Sequence, residues 1–405
     1  MANSILHVKK HIYIKIKMRV ISVNMELVIT QSNLTLFGGA ERVLLKIAAH
    51  YDAKIYTLEY NPNTTFEEFK NLNVIKLKSN PISNMLPYGR IKQGINYGLG
   101  FYNMKIKDDY DVINAHMAPS HWIRNKNERV LWYCHTPLRD IYDLYKYRLS
   151  MKRPHQKPIY IMGARAVRMI DKSVTKKIDF IFTNSLNTQS RVKDYYKRDD
   201  SEVLYAGIDA KKYKNNGDDK FFFYPSRISP NKRQEFAIAA FKLFSKKIKN
   251  YKLIIAGGLS KDGAFQNYYD LIKELSKDNK NIKIATNISE LEYNDLLSRC
   301  TAVLFPPINE DYGLVPLEAM ASGKPVIAIN EGGPKETIIN KKSGFLVNTI
   351  EEMAERMAYI SENPSIAIEM GKIGKKHVTE KFSWELFFEK FDRRARQISK
   401  GKSRI

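Results

Sequence analysis

From Met25 onward the chain repeats one pattern, in which a short apolar run is followed by a polar turn and a segment with helical spacing. The run MELVIT predicts a buried strand, and FGGAERVLLKIAAHY predicts a helix with one apolar face. Further apolar runs in the first half predict strands at AKIYTLEY, NVIKLK, YDVINAH, RVLWYCH, DFIFTNS and SEVLYAG. The segment from Tyr142 to Lys177 is predicted to be helical, with interruptions near Pro154 and Pro158.

The same pattern starts again after a polar stretch, Asn215–Lys220, which is the best candidate for a linker. Here the predicted strands are FFFYPSR, YKLIIAGG, NIKIAT, TAVLFPP, PVIAI and GFLV. Helices are predicted between them over Gln234–Lys246, Leu291–Arg299 and Pro316–Ala321. Strands that alternate with helices at this spacing predict an α/β protein with two Rossmann-like, doubly wound parallel sheets. Two such domains are expected to face a cleft lined by the carboxyl ends of the strands.

The predicted domains are residues 25–214 and 215–383, followed by a C-terminal helix over 384–405 that packs back towards the first domain. Residues 1–24 are basic and contain no signal-peptide cleavage site. They are interpreted either as an added arm or as translation from a start upstream of the true one, with Met18 and Met25 as plausible starts.

The stretch from Phe305 to Ile329 concentrates the chemistry of the second half. Glu310 in a loop and Glu318 in a helix supply two carboxylates, which suit the hydroxyl groups of a sugar. Gly313 lets a ligand approach the backbone closely, and the N–H groups of the helix start at Gly313–Val315 (Gly313, Leu314 and Val315) favour a bound anion. The stretch therefore predicts a site for a phosphorylated sugar.

Two cations, Arg227 and Lys232, surround a turn after the first strand of the second half, where they suit a diphosphate. A solvated basic turn is the alternative interpretation. In the first half, Gly38 and Gly39 open a helix and suit either a ligand's phosphate or simply a tight turn. The patterns typical of ATP and NAD sites, Gly-Lys-Ser/Thr and G-x-G-x-x-G, are absent from the sequence.

His116 and His135 each follow a predicted strand at its carboxyl end. His135 is flanked by Thr136, Pro137 and Arg139, so it is a candidate for contact with substrate hydroxyls or a developing charge. For both histidines the alternative is a buried or capping side chain with no role in chemistry.

The chain of 405 residues has a net charge of +24, a hydrophobic content of 43% and no apolar run long enough to span a membrane. Cys134 and Cys300 predict buried thiols in a reducing compartment, with neither disulfide nor metal spacing. The segment Lys146–Lys177 carries ten basic residues against one acid, Asp171. This composition suits an anionic lipid surface or a nucleic acid, and solvated lysine is the alternative.

Together these motifs resemble the retaining glycosyltransferases of family 4, which have the two-domain glycosyltransferase-B fold. The resemblance covers nearly everything from Met25 onward: FGGAERV, YCHTPLRDIYDLY, FTNS, VLYAGID, SRISPNKR, IIAGG, FPPINEDYGLVPLEAMASGKPVIA, EGGPKETI, GFLV and FSW. HTPLR is similar to a branch rich in mannosyltransferases of polysaccharide and lipid-linked oligosaccharide assembly. The chain departs from the family pattern at Ala206, where proline is usual, and at Thr286, where glycine is common.

The resemblance implies a role for each candidate residue. It places Glu310 at hydroxyls of the donor sugar, Glu318 at the ribose, and Arg227 with Lys232 at the diphosphate. It also places His135 over the donor sugar, Gly38 and Gly39 along the donor phosphate and acceptor side, and Asn287 with Ile288 at the nucleobase.

The function implied is transfer of a hexose, with mannose from GDP-mannose the expected donor, to a lipid-linked or polysaccharide acceptor with retention. No metal or other cofactor is expected, since the nucleotide sugar is a substrate. The enzyme is expected in the cytoplasm, in peripheral contact with an anionic membrane through Lys146–Lys177 and without a nucleic-acid partner. The alternatives are an epimerase or phosphorylase of the same fold, or a non-catalytic basic protein that binds membranes or nucleic acid.

Overall fold

The computed structural model describes residues 25–78, 89–259, 263 and 265–401. The predicted arm over residues 1–24 lies outside these described residues. The chain divides into two compact units. Among the described residues, unit 1 contains those up to Thr183, Thr188–Leu204 and those from Glu389 onward, whereas unit 2 contains those of Asn184–Asn187 and Tyr205–Phe388.

Unit 1 is built on a parallel sheet of seven strands in the order β3-β2-β1-β4-β5-β6-β7. The strands are β1 (Leu27–Leu34), β2 (Lys54–Tyr60), β3 (Val74–Lys76), β4 (Val112–Ala115), β5 (Val130–Cys134), β6 (Phe180–Thr183) and β7 (Glu202–Val203). The helices are α1 (Gly39–Tyr51), α2 (Gly89–Asn103), α3 (Tyr145–Ser150), α4 (Lys157–Thr175) and α5 (Leu186–Tyr196), whose first two residues belong to unit 2. Short 3-10 turns lie at Glu67–Asn71, Ser120–Asn125, Arg139–Ile141 and Pro154–Gln156.

Unit 2 is built on a parallel sheet of six strands in the order β10-β9-β8-β11-β12-β13. The strands are β8 (Phe221–Pro225), β9 (Lys252–Gly257), β10 (Ile282–Thr286), β11 (Ala302–Phe305), β12 (Val326–Ile329) and β13 (Gly344–Val347). The helices are α6 (Gln234–Lys247), α7 (Gln266–Ser276), α8 (Glu290–Arg299), α9 (Leu314–Ala321), α10 (Pro334–Thr337), α11 (Ile350–Glu362) and α12 (Pro364–Lys381). Two 3-10 turns lie at Ala210–Lys212 and Pro230–Lys232, and the final helix, α13 (Trp384–Ser399), passes from unit 2 into unit 1.

The strand order reverses once in each sheet, between β1 and β4 in unit 1 and between β8 and β11 in unit 2. All residues of β8, β11 and β12 are buried, as expected for central strands of a parallel sheet with both faces covered. The predicted α/β fold with two Rossmann-like sheets is confirmed. In open sheets of this kind, ligands bind beyond the carboxyl ends of the strands at the point of reversal.

Some local features differ from the sequence predictions. The predicted interruption near Pro154 and Pro158 is confirmed, however: α3 ends at Ser150, and α4 begins at Lys157 with Pro158 in its first turn, where the missing N–H removes no helical hydrogen bond. The polar stretch Asn215–Lys220 lies within unit 2, where Asn216 N–H donates to the Ser298 carbonyl (2.9 Å) and Asn215 Nδ2 donates to the Gly323 carbonyl (3.2 Å). The helices α2, α5 and α7 were not predicted.

Both cysteines are free and buried, as predicted. None of the helices in the described ranges combines the length and the apolar content needed to cross a membrane.

Candidate active site

An ion pair joins the two loops at the point of strand reversal in unit 2. Lys232 lies in the loop after β8 and Glu310 in the loop after β11, and these strands are neighbours in the sheet. Lys232 Nζ is 2.6 Å from Glu310 Oε2, and the two side chains are 13% and 23% exposed. The structure therefore brings together two residues that the sequence analysis had assigned to different parts of a donor.

Backbone hydrogen bonds hold the loops around this pair in place. Ile308 N–H donates to the Asn231 carbonyl (2.9 Å), and Gly333 N–H donates to the Glu310 carbonyl (2.9 Å). Glu331, in the loop after β12, accepts from the Asn309 N–H (2.9 Å) and pairs with Arg233 (3.0 Å). The backbone on either side of Glu310 is thus held from both neighbouring strands.

Gly332 permits the closest of these approaches. Its φ is +60°, and a Cβ at this position would lie 2.2 Å from the Glu310 carbonyl oxygen. A side chain would therefore displace the Glu310 loop as well as strain the backbone.

Glu336, in α10, caps the segment that begins α5. Its carboxylate accepts from the N–H groups of Leu186 (2.7 Å) and Asn187 (2.9 Å) and from the Tyr205 hydroxyl (3.1 Å). Burial raises the pKa of Glu336, although these hydrogen bonds oppose the change. Asn187 Nδ2 also donates to the Glu310 carbonyl (3.0 Å), so this cap supports the same loop.

The start of α9 presents unused donors next to the Glu310 loop. Gly313 has φ +85° and precedes the helix without a side-chain cap. The N–H groups of Gly313, Leu314 and Val315 donate to no acceptor among the described residues. Pro316 has no N–H, so the first turn offers a compact group of backbone donors that suits a phosphate.

Glu318, the fifth residue of α9, is in a different environment from Glu310. Its side chain is buried, and one carboxylate oxygen accepts a hydrogen bond from the Tyr293 hydroxyl of α8. Its predicted contact with a ribose stays a prediction. Tyr293 was not recognised from the sequence, because it is 25 residues away and nothing in its local pattern indicates this partner.

The remaining unit 2 candidates lie at the carboxyl ends of β8 and β10. Arg227 is exposed, and its guanidinium forms no ion pair or hydrogen bond within the described ranges. Asn287 has φ +57° and directly precedes the half-buried Ile288, which in turn precedes the capping box of Ser289 and Glu292 at the start of α8. Their predicted contacts with diphosphate and nucleobase stay predictions.

In unit 1, three buried polar side chains form a hydrogen-bonded chain at the ends of β4 and β5. His116 Nε2 is 2.8 Å from Asn114 Oδ1, and His116 Nδ1 is 3.0 Å from His135 Nε2. Asn114 Nδ2 donates to the Leu131 carbonyl (3.3 Å), which leaves its Oδ1 as the acceptor for His116. Both imidazoles then carry hydrogen on Nε2, and His135 presents Nδ1 as an acceptor.

Both histidines are neutral around pH 7. Burial lowers the pKa of His135 to about 3. Burial and, to a lesser degree, the neighbouring His135 lower the pKa of His116 well below its ordinary value. The two rings therefore act as a neutral hydrogen-bonding chain.

In unit 1, the carboxylate of Glu41 lies next to Gly38, the first glycine of the pair. Gly38 precedes α1, and a Cβ at Gly38 would lie 2.2 Å from Glu41 Oε2. Glu41 is buried in the first turn of α1, where an acidic group is favoured by the helix dipole. The helix start is thus partly neutralised by Glu41, and contact of Gly38 and Gly39 with a donor phosphate stays a prediction.

A model of glycosyltransferase family 4 matches residues 37–212, and a model of group 1 glycosyl transferases matches residues 207–377. The alpha-1,3/1,6-mannosyltransferase ALG2 of Dictyostelium discoideum is 30% identical over 414 residues, covering 86% of this chain and 93% of the relative. The chain belongs to glycosyltransferase family 4.

Other relatives agree with this membership. The alpha-1,3/1,6-mannosyltransferase ALG2 of Mus musculus is 28% identical to this glycosyltransferase over 390 residues, covering 86% of the chain and 91% of the relative. Among solved structures, sucrose-phosphate synthase from Thermosynechococcus elongatus superposes with a TM-score of 0.74 at 20% identity, covering 93% and 100% of the two chains. This likeness shows the glycosyltransferase-B fold.

The structure groups the predicted site residues of this glycosyltransferase unevenly. In unit 2 it brings Lys232, Glu310 and the start of α9 into one set of linked loops. In unit 1 it joins His135 to His116. Among the described residues no group of three or more His, Cys, Asp or Glu side chains is arranged to hold a metal ion.

Proposed function

We propose that this glycosyltransferase transfers mannose from GDP-mannose, with retention of configuration, to a lipid-linked or polysaccharide acceptor. The observation that carries this proposal is the pairing of Lys232 with Glu310 beside the unused N–H groups at the start of α9. The relatives that match nearly the whole chain are named alpha-1,3/1,6-mannosyltransferases, which supports mannose as the transferred sugar.

The proposed donor site uses each charge for a different part of the substrate. A nucleoside diphosphate competes with Glu310 for Lys232 because it carries more than one negative charge. The N–H groups of α9 and the exposed Arg227 add further positive potential. When the diphosphate replaces Glu310 as the partner of Lys232, the Glu310 carboxylate is available to accept hydrogen bonds from sugar hydroxyls.

The proposed reaction proceeds on one face of the sugar. The bond between C1 of mannose and the diphosphate oxygen breaks, and the acceptor oxygen forms a bond to C1 from the same side. The proton of the acceptor hydroxyl passes to the leaving phosphate oxygen, so no separate base is required. Lys232 and the start of α9 stabilise the charge that develops on the leaving group.

We also propose that no metal takes part, because Lys232 and the backbone N–H groups at the start of α9 can neutralise the charge of a diphosphate without a divalent ion. The expected result is that transfer continues unchanged after dialysis against EDTA. Loss of activity that returns with Mg²⁺ or Mn²⁺ would show that a metal is required.

We further propose that the enzyme works in the cytoplasm and contacts an anionic membrane peripherally through the basic segment Lys146–Lys177, without binding nucleic acid. At the membrane surface the enzyme would reach a lipid-linked acceptor. The basic side chains of this segment are the basis for the proposal.

The test is a turnover assay with GDP-mannose, GDP-glucose, UDP-glucose and ADP-glucose, using a dolichyl- or polyprenyl-linked oligosaccharide as acceptor and NMR to assign the new linkage. The expected result is free GDP and an α-linked mannose on the acceptor. Isomerised donor without a longer glycan would identify an epimerase, and preferential use of a UDP-sugar would overturn the choice of donor.

A further inference from the structure

The basic segment of unit 1 has an apolar stripe on its outer face. Helix α4 exposes Ile159, Met162 and Met169, whose side chains are 68%, 72% and 73% exposed. Their spacing of three and seven residues places them on one side of the helix, with the exposed Ala166 between them. Arg165 and Lys172 are exposed beside the stripe.

The stripe is not needed for packing within unit 1. The opposite side of α4 supplies the buried residues Ala164, Asp171, Val174 and Thr175. A surface helix ordinarily places one apolar face inward and polar residues outward, so a second apolar face with basic flanks is unexpected. Large apolar side chains grouped on one surface indicate an interaction site.

A buried carboxylate anchors the inward side of α4 and so determines which residues face outward. Asp171 accepts hydrogen bonds from His121 (3.0 Å), Trp122 (2.8 Å), Tyr142 (2.9 Å) and Tyr196 (2.8 Å). Rotation of α4 about its axis would break all four bonds. The exposure of the stripe is therefore a fixed property of the folded unit.

Some basic residues of the segment make contacts within the protein, whereas others are exposed without an ion pair. Arg148 pairs with Asp140 (2.8 Å), and Arg168 bonds the Ile141 carbonyl and lies over the ring of Tyr145. Lys157, Arg165 and Lys172 are exposed and form no ion pair in the described part of the chain. Of these three, Arg165 and Lys172 lie beside the apolar stripe on the outer surface of α4.

We propose that α4 lies in the headgroup region of an anionic membrane, with Ile159, Met162 and Met169 inserted and Arg165 and Lys172 bound to lipid phosphates. Alternating basic and apolar side chains on one face are typical of helices that lie in the plane of the interface. Met151, which follows α3 in the same segment, is also exposed. This inference rests on the proposed function, because the proposed lipid-linked acceptor gives the enzyme a reason to bind a membrane.

The chemistry of the stripe favours lipid over nucleic acid. Nucleic-acid surfaces combine cations with aromatic rings or polar groups that meet bases, whereas isoleucine and methionine on this face have no such partner there. Apolar side chains between cations match the boundary between headgroups and acyl chains. The partner is therefore an anionic lipid bilayer.

The experiment is flotation of the full chain with vesicles of phosphatidylcholine alone and of phosphatidylcholine mixed with phosphatidylglycerol. The wild type should float with the anionic vesicles only. The double variant Met162→Asp/Met169→Asp and the double variant Arg165→Glu/Lys172→Glu should each bind at least about tenfold more weakly. A matched control, Ile368→Asp/Lys372→Glu on the exposed side of α12, should bind like the wild type.

A second readout reports insertion itself. In the variant Met162→Trp, tryptophan emission should shift to the blue on addition of anionic vesicles and be quenched by lipids brominated in the acyl chain. If vesicle binding is lost in Arg165→Glu/Lys172→Glu but kept in Met162→Asp/Met169→Asp, the contact is purely electrostatic, without insertion. That result would overturn the proposal. Binding of an oligonucleotide in place of vesicles would overturn it as well.

The donor site is tested separately with the same proteins. Each variant should keep the thermal shift that GDP-mannose produces in the wild type, because α4 belongs to unit 1 and the proposed donor residues belong to unit 2. Vesicle binding without a response to GDP-mannose would refute the proposed function alone. A response to GDP-mannose without vesicle binding would refute the membrane surface alone.

Discussion

Lys232 Nζ lies 2.6 Å from Glu310 Oε2, so that the loops after β8 and β11 meet through a single ion pair at the point where the strand order reverses. Neither charge is fully solvated, since the side chains are only 13% and 23% exposed. Each charge therefore needs a compensating partner: a diphosphate provides negative charge for Lys232, and sugar hydroxyls provide hydrogen-bond donors for Glu310.

Replacing Tyr293 by Phe should affect donor binding more than catalysis. Tyr293 donates to the buried carboxylate of Glu318, and loss of a hydrogen bond to a charged group costs about 1.5–3 kcal/mol. With Glu318 positioned less firmly, the KM for the nucleotide sugar should rise roughly tenfold, while kcat stays within about twofold. Steady-state kinetics with varied donor concentration measures both.

The control for Tyr293 is Tyr359→Phe, at a partly exposed tyrosine of α11, which should leave both constants unchanged. A fall in kcat with unchanged KM in Tyr293→Phe would contradict a binding role for Glu318.

The sequence predicted the strands and the charged residues of the site, but not how those residues pair. Apolar runs such as FFFYPSR and TAVLFPP mark buried strands by composition alone, so β8 and β11 could be located. Lys232 and Glu310 are 78 residues apart, and their contact depends on β11 lying next to β8 in the sheet. No local sequence pattern indicates the order of the strands in the sheet.

The cap formed by Glu336 was missed for the same reason. Its partners Leu186 and Asn187 are about 150 residues away and lie in a segment that groups with unit 2 although its neighbours in sequence belong to unit 1. Glu41 is the opposite case. It stands in the first turn of α1, where an acidic residue beside the helix start is a local signal that could have been used.

The buried histidines should make unit 1 less stable in mild acid. Burial lowers the pKa of His135 from 6.5 to about 3 in the folded state, so the unfolded chain binds the proton more readily between these values. The free energy of unfolding therefore falls as the pH decreases below about 6.5, by up to about 1.4 kcal/mol per pH unit for this group.

His135→Gln removes that contribution. Between about pH 7.5 and pH 5, the free energy of unfolding should fall by about 2 kcal/mol less in this variant than in the wild type. Urea unfolding followed by tryptophan fluorescence in a Trp384→Phe background, which leaves Trp122 and Trp132 of unit 1, measures the difference. An unchanged pH dependence would mean that His135 is not buried as a neutral ring.

Asp171→Asn should destabilise unit 1 by about 2–4 kcal/mol. The carboxylate accepts four hydrogen bonds, and although burial opposes its charge, the bonds from His121, Trp122 and Tyr196 keep its pKa below the ordinary value. An amide cannot accept from all of these donors. Urea unfolding checks the value.

The matched variant for Asp171 is Asp140→Asn, which changes an exposed carboxylate paired with Arg148. It should cost no more than about 1 kcal/mol, as is usual for exposed pairs. If the two substitutions lower the free energy of unfolding equally, Asp171 is not the anchor of α4.

The central claim is that Lys232 binds the diphosphate and Glu310 the sugar of GDP-mannose, and calorimetric titration of three proteins with GDP and with GDP-mannose tests it most directly. Lys232→Gln should weaken both ligands about tenfold or more, because it removes a charge-assisted contact that they share. Glu310→Gln should bind GDP at least as tightly as the wild type, lose the preference for GDP-mannose over GDP, and transfer no mannose. If Glu310→Gln instead weakens GDP as much as Lys232→Gln does, or keeps turnover near the wild-type rate, the pair is a structural bridge and the claim is wrong.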